Sequence, residues 1–114
     1  MNTPAAASAR IGPDAELCVP ITVLGELFRG AQKSGRVAAN LSRVENFSTG
    51  VRILSHDMET ARRYGLIQHA LRLKGKPIPQ NDAWIAASAM RFNLPLVTRD
   101  KHFDHVDGLM VIAW

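Results

Sequence analysis

Two carboxylates stand at positions of the sequence where they could take part in chemistry. Asp82 opens segment 82–89, in which apolar residues recur at helical spacing, so a charged group shares the face that must pack against the core. Asp100 follows the apolar run Leu94–Thr98, which predicts a buried strand. In open parallel sheets, sites are built at the carboxyl ends of the strands. A helix start and a strand end that bring two acids to one edge predict a metal site.

A third acid, Glu26, lies on the same helical face as Val23 and Leu27, shortly after another predicted strand. If the sheet is parallel, the strands that precede Glu26 and Asp100 end at one edge, and Glu26, Asp82 and Asp100 converge there. Three neighbouring carboxylates repel one another and stay partly protonated unless a divalent cation neutralises them. Ligands that are all oxygen favour Mg²⁺ or Mn²⁺ over zinc.

The elements that must position these acids alternate between strand and helix, which predicts an α/β fold with a mostly parallel sheet. Asn81 is predicted to cap the helix that carries Asp82. Residues 1–16 are predicted to be a poorly ordered or short helical lead-in. The predicted strands are Leu17–Ile21, Val51–Leu54, Leu94–Thr98 and Leu109–Ala113, and the predicted helices are Thr22–Ser34, Val37–Phe47, Asp57–Lys74 and Asp82–Asn93, with a short turn or helix over Asp100–His105.

Composition narrows the class of protein. A length of 114 residues, 46% of them hydrophobic, predicts one globular domain. The 14 Lys and Arg against 10 Asp and Glu give a net charge of +4, which favours a polyanionic partner. The single Cys18, in an apolar run, predicts a buried thiol in a reducing cytoplasm. No apolar run approaches the ~20 residues of a membrane span, and the first residues do not form a secretion signal.

The motifs, taken in order, resemble one family. They are Gly25-Glu26-Leu27 with Gly30-Ala31, Ala61 with Tyr64-Gly65, Gly75-Lys76-Pro77-Ile78, Asn81-Asp82 with Ile85-Ala86-Ala87, and Leu96-Val97-Thr98-Arg99-Asp100 with His102-Phe103. Together they are similar to the PIN domain of VapC-type toxins, over about residues 15–114. The resemblance implies a single three-layer PIN-like domain over residues 1–114.

The resemblance also implies a function. Members of this family are Mg²⁺- or Mn²⁺-dependent endoribonuclease toxins of type II toxin–antitoxin systems, held inactive by an antitoxin and usually dimeric. Carried over by position, the resemblance makes Glu26, Asp82 and Asp100 the catalytic, metal-binding acids. Asp104 would be an outer helper, with Thr98 and Asn81 as orienting neighbours. Cations close to these acids in sequence could bind the RNA backbone, or could be ordinary solvated charges; they are Arg29, Lys33, Arg99 and Lys101.

The sequence departs from the family at its beginning. The family opens with the central strand of the sheet, which ends in Leu-Asp-Thr-Asn and supplies the first acid, and no such segment is present. A shortened version of a longer protein is the favoured explanation. A damaged toxin, or pairing supplied by a second chain or by a rearranged N-terminus, are the alternatives. The alternative function is therefore a catalytically impaired protein that binds antitoxin or RNA without cleavage. A plain DNA-binding module is a weaker third hypothesis, because no helix-turn-helix pattern supports it.

Overall fold

The computed structural model describes residues 6–8 and 17–113, which form a sheet of short strands and the helices packed against it. The described strands are β1 (Ala6–Ser8), β2 (Leu17–Pro20), β3 (Arg52–Leu54), β4 (Leu96–Val97) and β5 (Val111–Ile112). Their order across the sheet is β3-β2-β1-β4-β5.

The two outer pairs of strands, β2 with β3 and β4 with β5, are parallel. The central strand β1 is antiparallel to both of its neighbours, so that Ala7 faces Cys18 on one side and Leu96 on the other. The four outer strands therefore all run in one direction, and the prediction of a mostly parallel α/β sheet is confirmed.

The centre of the sheet is filled by an N-terminal segment. Of the alternatives left open by the sequence, a rearranged N-terminus describes this sheet, because Ala6–Ser8 supplies hydrogen-bonding partners to both β2 and β4. Residues 6–8 are extended rather than helical. The rest of the predicted lead-in, 1–5 and 9–16, lies outside the described residues.

Four α-helices connect the described strands, and their ends follow from local sequence. Asp57 caps the third helix with a complete capping box, in which its carboxylate accepts from the Thr60 backbone N–H and the Thr60 hydroxyl accepts from the Asp57 N–H. Gly75 ends that helix at φ 70°, a conformation that glycine adopts without strain. The helices are α1 (Ile21–Gln32), α2 (Val37–Thr49), α3 (Met58–Lys74) and α4 (Gln80–Arg91), followed by a 3-10 helix over Lys101–His105.

Helix α4 lies in the middle of the molecule, packed against α3 and α1. Most of the buried residues of α4 are small, which allows its neighbours to approach closely. They are Ala83, Ala86, Ala87, Ser88 and Ala89, with Ile85 as the one large side chain among them. The predicted cap at Asn81 is wrong: α4 begins at Gln80, after Pro79, which is two residues before the predicted start at Asp82, and no side chain caps it. Pro79, with φ −55°, starts the helix through its fixed backbone and leaves the Asn81 amide available for another contact. No helix in the described part of the chain is long and apolar enough to cross a membrane.

Candidate active site

The shared direction of the outer strands brings the predicted acids to one edge of the sheet. Strand β2 runs directly into α1, which carries Glu26 in its second turn, and β4 is followed after two residues by Asp100. Asp82 lies in the first turn of α4. Glu26 and Asp100 therefore follow the carboxyl ends of parallel strands, where α/β folds build their sites. Asp82 follows no strand, because α4 comes directly after α3, and its contact with His102 places it beside the segment that follows β4.

The pKa of the Glu26 carboxyl depends on its burial and on three neighbouring side chains. Partial burial raises the pKa of the Glu26 carboxyl, and the negative charges of Asp82 and Asp100 raise it further. A hydrogen bond with the Asn81 side chain acts in the opposite direction, because it favours the carboxylate. Asp82 and Asp100 therefore favour the protonated form of Glu26, and Asn81, at the start of α4, favours its carboxylate.

Asp82 has a partner that sequence reasoning left unassigned. The Nε2 atom of His102 lies 2.7 Å from Oδ2 of Asp82, and the Asp82 side chain is only 18% exposed. His102 comes two residues after Asp100, on the 3-10 helix that the strand end delivers. The position of His102 between Asp100 and Phe103 was the one feature of the sequence that could have indicated a role near the acids. The contact fixes one oxygen of Asp82 and leaves the other without a recorded partner among the described residues.

Asp100 is positioned by its backbone. The Asp100 N–H donates to the hydroxyl of Thr98 at 3.0 Å, and Thr98 is buried at 3% exposure. This contact turns the chain sharply after β4 and directs it into the 3-10 helix. Asp104, the suggested outer helper, lies exposed on that short helix.

The donor atoms offered by the three acids suit a hard divalent cation, because carboxylate oxygens are the ligands that Mg²⁺ and Mn²⁺ prefer. Their mutual effect on Glu26 is the electrostatic cost that such a cation would relieve. As the side chains stand, however, the described part of the chain contains no cluster of three or more His, Cys, Asp or Glu arranged to hold a metal ion. The chemistry of the donor set fits the metal, and the side chains would have to close around it.

The predicted RNA-binding cations separate into two groups. Arg29 and Lys33 line a hollow of about 510 Å³ together with Glu26, Gly30 and Asn81. Glu26, Arg29 and Lys33 follow one another at about one helical turn, so the two cations form a basic wall next to the Glu26 carboxyl. The other two cations, Arg99 and Lys101, are exposed on either side of Asp100 and are not part of this hollow.

A histidine that sequence reasoning missed ties the same elements together. His56, in the turn after β3, has Nε2 at 2.6 Å from the hydroxyl of Thr22 on α1 and Nδ1 at 3.2 Å from the hydroxyl of Ser88 on α4. Its ring stacks on Trp84 at 4.8 Å between centroids. Burial lowers the pKa of His56, and the charge of Asp57 opposes that shift. Thr22 lies one turn before Glu26, so the bridge holds α1 against α4 next to the acids.

The described residues form an α/β domain with acidic residues near the carboxyl ends of its parallel strands, and comparison with known proteins assigns its family. Residues 2–109 match the PIN domain family, and the chain belongs to that family, in its VapC branch. Among its relatives is the "tRNA(fMet)-specific endonuclease VapC" of Shigella flexneri, which is 31% identical over an alignment of 115 positions that covers 99% of this chain and 87% of the relative.

Solved structures show the same fold. VapBC-1 from nontypeable Haemophilus influenzae superimposes with a TM-score of 0.84 at 27% identity, over 92% of this chain and 79% of that one. VapBC-5 from Mycobacterium tuberculosis, described as a member of the VapBC family of toxin-antitoxin systems, gives a TM-score of 0.70 at 28% identity, over 82% and 77% of the two chains. The predicted family and fold class are confirmed.

Proposed function

We propose that this chain is a Mg²⁺- or Mn²⁺-dependent endoribonuclease toxin that cleaves phosphodiester bonds of RNA. The observation that carries the proposal is the gathering of Glu26, Asp82 and Asp100 at one edge of the sheet, where two of the acids act on the ionisation of the third. Membership of the VapC branch, whose relative in Shigella flexneri is named an endonuclease, supports the reaction class.

In this proposal the three carboxylates hold the cation. When bound, a divalent cation lowers the pKa of a coordinated water and stabilises the charge that develops on phosphate oxygens. The neighbouring residues orient the acids: Asn81 bonds the Glu26 carboxylate, and His102 bonds one oxygen of Asp82. In this proposal each contact holds one acid in place while the three carboxylates close around the cation, as outer-shell partners do at metal sites.

The RNA backbone is proposed to follow the cations that flank the acids. Arg29 and Lys33 form the basic wall of the hollow that Glu26 also lines. Neither residue has a carboxylate partner among the ion pairs of the described residues. Arg99 and Lys101, exposed beside Asp100, would extend this surface. Phosphate contacts of this kind position a substrate without reading its sequence.

The test is cleavage of RNA by the purified chain with Mg²⁺ or Mn²⁺. Asp82→Asn keeps the size and hydrogen-bonding shape of the side chain but removes its charge, so we expect a loss of cleavage rate of at least ~100-fold. Asp107→Asn is the matched control, because Asp107 is 83% exposed and pairs with Lys74 away from the acids. Activity that survives Asp82→Asn would refute the proposal, and so would activity that persists after chelation of divalent cations.

A second candidate function is binding without cleavage. It is favoured by the absence, within the described residues, of a metal-ready cluster of acids. Such a protein would bind antitoxin or RNA with the same surface and show no turnover. Calorimetric titration with Mn²⁺, run beside the cleavage assay, separates the two functions: tight binding with turnover removes the second candidate.

The proposed partners are RNA, a cognate antitoxin and a second copy of this chain, all acting in the cytoplasm. The solved neighbours are VapBC proteins, which supports the antitoxin. Leu66 and Leu73, one above the other on α3, are 70% and 75% exposed. In the proposed homodimer, an interface on α3 would cover these two side chains. Light scattering on the purified chain, alone and with the antitoxin, measures both associations. A monomer at all concentrations would contradict the homodimer.

A further inference from the structure

A second cleft reaches the start of α4, where Gln80 lines it. Its volume is about 610 Å³, within the range of small-molecule binding sites. One wall is a face of α3, and the other is the chain that connects α3 to α4. The lining residues are Tyr64, Gln68, His69, Arg72, Pro77, Ile78 and Gln80.

The wall on α3 carries three different polar groups in a row. Tyr64, Gln68 and Arg72 are spaced four residues apart, so a phenol, an amide and a guanidinium follow one another along one helix face. The Gln68 amide nitrogen donates to the Tyr64 hydroxyl at 3.4 Å, which links the first two. Gln80 adds a second amide from the opposite wall. This row offers hydrogen bonds and a positive charge, and none of the lining residues is acidic.

The aromatic end of the row is held in place from behind. Tyr64 stacks on Trp84 with 4.0 Å between ring centroids and an interplanar angle of 14°. Trp84 stacks in turn on His56. The three rings form a column that reaches from α3 to the His56 bridge, so the wall of the cleft keeps its position when the cleft is empty. A preformed wall reduces the entropy lost on binding.

Arg72 differs from the other cations near it. Arg62 and Arg63 pair with Glu59, Lys74 pairs with Asp107, and no ion pair of Arg72 occurs among the described residues. A guanidinium without a carboxylate partner, at the mouth of a cleft with no acidic lining residue, is suited to a phosphate, which it can bind through two parallel hydrogen bonds.

The cleft and the hollow beside the acids are neighbours in the chain. Gln80 lines the cleft, and the next residue, Asn81, lines the hollow and bonds Glu26. A single strand that lies in the hollow can therefore continue over the first turn of α4 into the cleft.

We propose that this cleft binds one nucleotide of the RNA strand, next to the nucleotide whose phosphate meets the acids. This inference rests on the proposed function. Arg72 contacts the phosphate of that nucleotide, and the amides of Gln68 and Gln80 bond the edge of its base, against the aromatic wall of Tyr64. Unpaired RNA is read in this way, by stacking and by hydrogen bonds to exposed base edges. The cleft would make the enzyme selective for the base beside the cut.

The experiment measures RNA binding without cleavage. All variants are made in the Asp82→Asn chain, with a chelator present, and titrated into a fluorescently labelled single-stranded RNA oligonucleotide at several salt concentrations. For Arg72→Ala we expect about fivefold to tenfold weaker binding, and a slope of log K against log salt reduced by about 0.7, the value for one lost phosphate contact to a single strand. Gln68→Ala should leave the slope unchanged and narrow the difference in affinity between oligonucleotides of different base composition.

Arg62→Ala is the matched control, because it removes the same charge from an Arg on the same helix whose side chain is 66% exposed and paired with Glu59. It should leave the affinity within about twofold. A second measurement needs no substitution in the cleft: an oligonucleotide that contains photoreactive thiouridine should crosslink to Tyr64 or Gln68.

Several results would overturn the proposal. Arg72→Ala that behaves like Arg62→Ala, together with crosslinks only outside the cleft, rejects the nucleotide site. A change of oligomeric state in Arg72→Ala without a change in RNA affinity identifies the cleft as an interface between copies instead. In both cases the proposed function survives if Asp82→Asn still abolishes cleavage. If the unsubstituted chain does not cut RNA and the Asp82→Asn chain does not bind it, the proposed function and the nucleotide site are both rejected.

Discussion

Replacing His56 with Phe tests whether the bridge between α1 and α4 stabilises the protein. Phenylalanine keeps the aromatic stack on Trp84 but removes both hydrogen bonds. Thr22 is partly exposed and can bond water, whereas Ser88 is 0% exposed and loses its recorded partner. Leaving a buried hydroxyl unpaired costs about 1–3 kcal/mol. We expect the lower half of that range, because a helical Ser can bond the carbonyl four residues earlier.

For a domain of this size, a loss of about 1–2 kcal/mol corresponds to a melting temperature lowered by about 4–8 °C, measured by circular dichroism at pH 7.5. The pH dependence has a definite sign. Because burial lowers the pKa of His56, the folded protein binds its proton less tightly than the unfolded chain does. The stability contributed by neutral His56 is complete above the unfolded pKa of about 6.5 and is lost as the pH falls through the folded pKa. The deficit of His56→Phe should therefore shrink at pH 5.

The control is a double-mutant cycle with Ser88→Ala. If the Ser88 hydroxyl is the group left unpaired, the double variant His56→Phe with Ser88→Ala should recover most of the loss, since removal of both partners is nearly neutral. Additive losses in the cycle, or a melting temperature of His56→Phe unchanged at pH 7.5, would refute the bridge as a source of stability.

Other predictions concern separate parts of the chain. Gly75→Ala should cost about 1–2 kcal/mol in chemical denaturation, because φ there is 70°, whereas Gly75→Asn should cost less; equal losses would contradict the conformational reason. Hydrogen bonds from Arg91 and Thr60 hold the pKa of Asp57 well below its usual range, so the stability that the Asp57 carboxylate contributes is present above the unfolded pKa near 4 and is lost as the pH falls below it. In Asp57→Ala, the melting temperature measured as a function of pH should therefore fall less steeply below about pH 4. Phe103→Ala, at 0% exposure, should cost about 3–5 kcal/mol in the same denaturation experiment, and a cost below 1 kcal/mol would contradict the placement of this ring in the core.

Local signals in the sequence predicted most of the helices. The helix capped by Asp57 and stopped by Gly75 was predicted to end at Lys74, and it does, because its capping box and its glycine act over three or four residues. Four of the five described strands were placed within two residues at each end, because short apolar runs between turn signals are recognisable without knowledge of the rest of the fold.

Contacts between distant elements were harder to predict. The bond between His56 and Ser88 joins residues 32 positions apart, and no local pattern marks either residue. The strand Ala6–Ser8 consists of small residues without apolar alternation, so only its pairing with β2 and β4 identifies it. Asn81 has the residue type of a cap, but Pro79 starts the helix, and Asn81 instead lines the hollow beside Glu26, whose pKa it lowers. The roles of Glu26, Asp82 and Asp100 as metal ligands remain a prediction.

The central strand has a consequence for the order in which the molecule folds. Helices α3 and α4 are joined by five residues and pack together, so their contacts close a short loop. The pairing of Ala6 with Val97 instead closes a loop that runs from residue 6 to residue 97. Since contacts between distant positions form slowly, the middle of the sheet should be completed after its flanks. Pulsed hydrogen exchange during refolding would then protect the amides of the α3–α4 pair before those of Ala7.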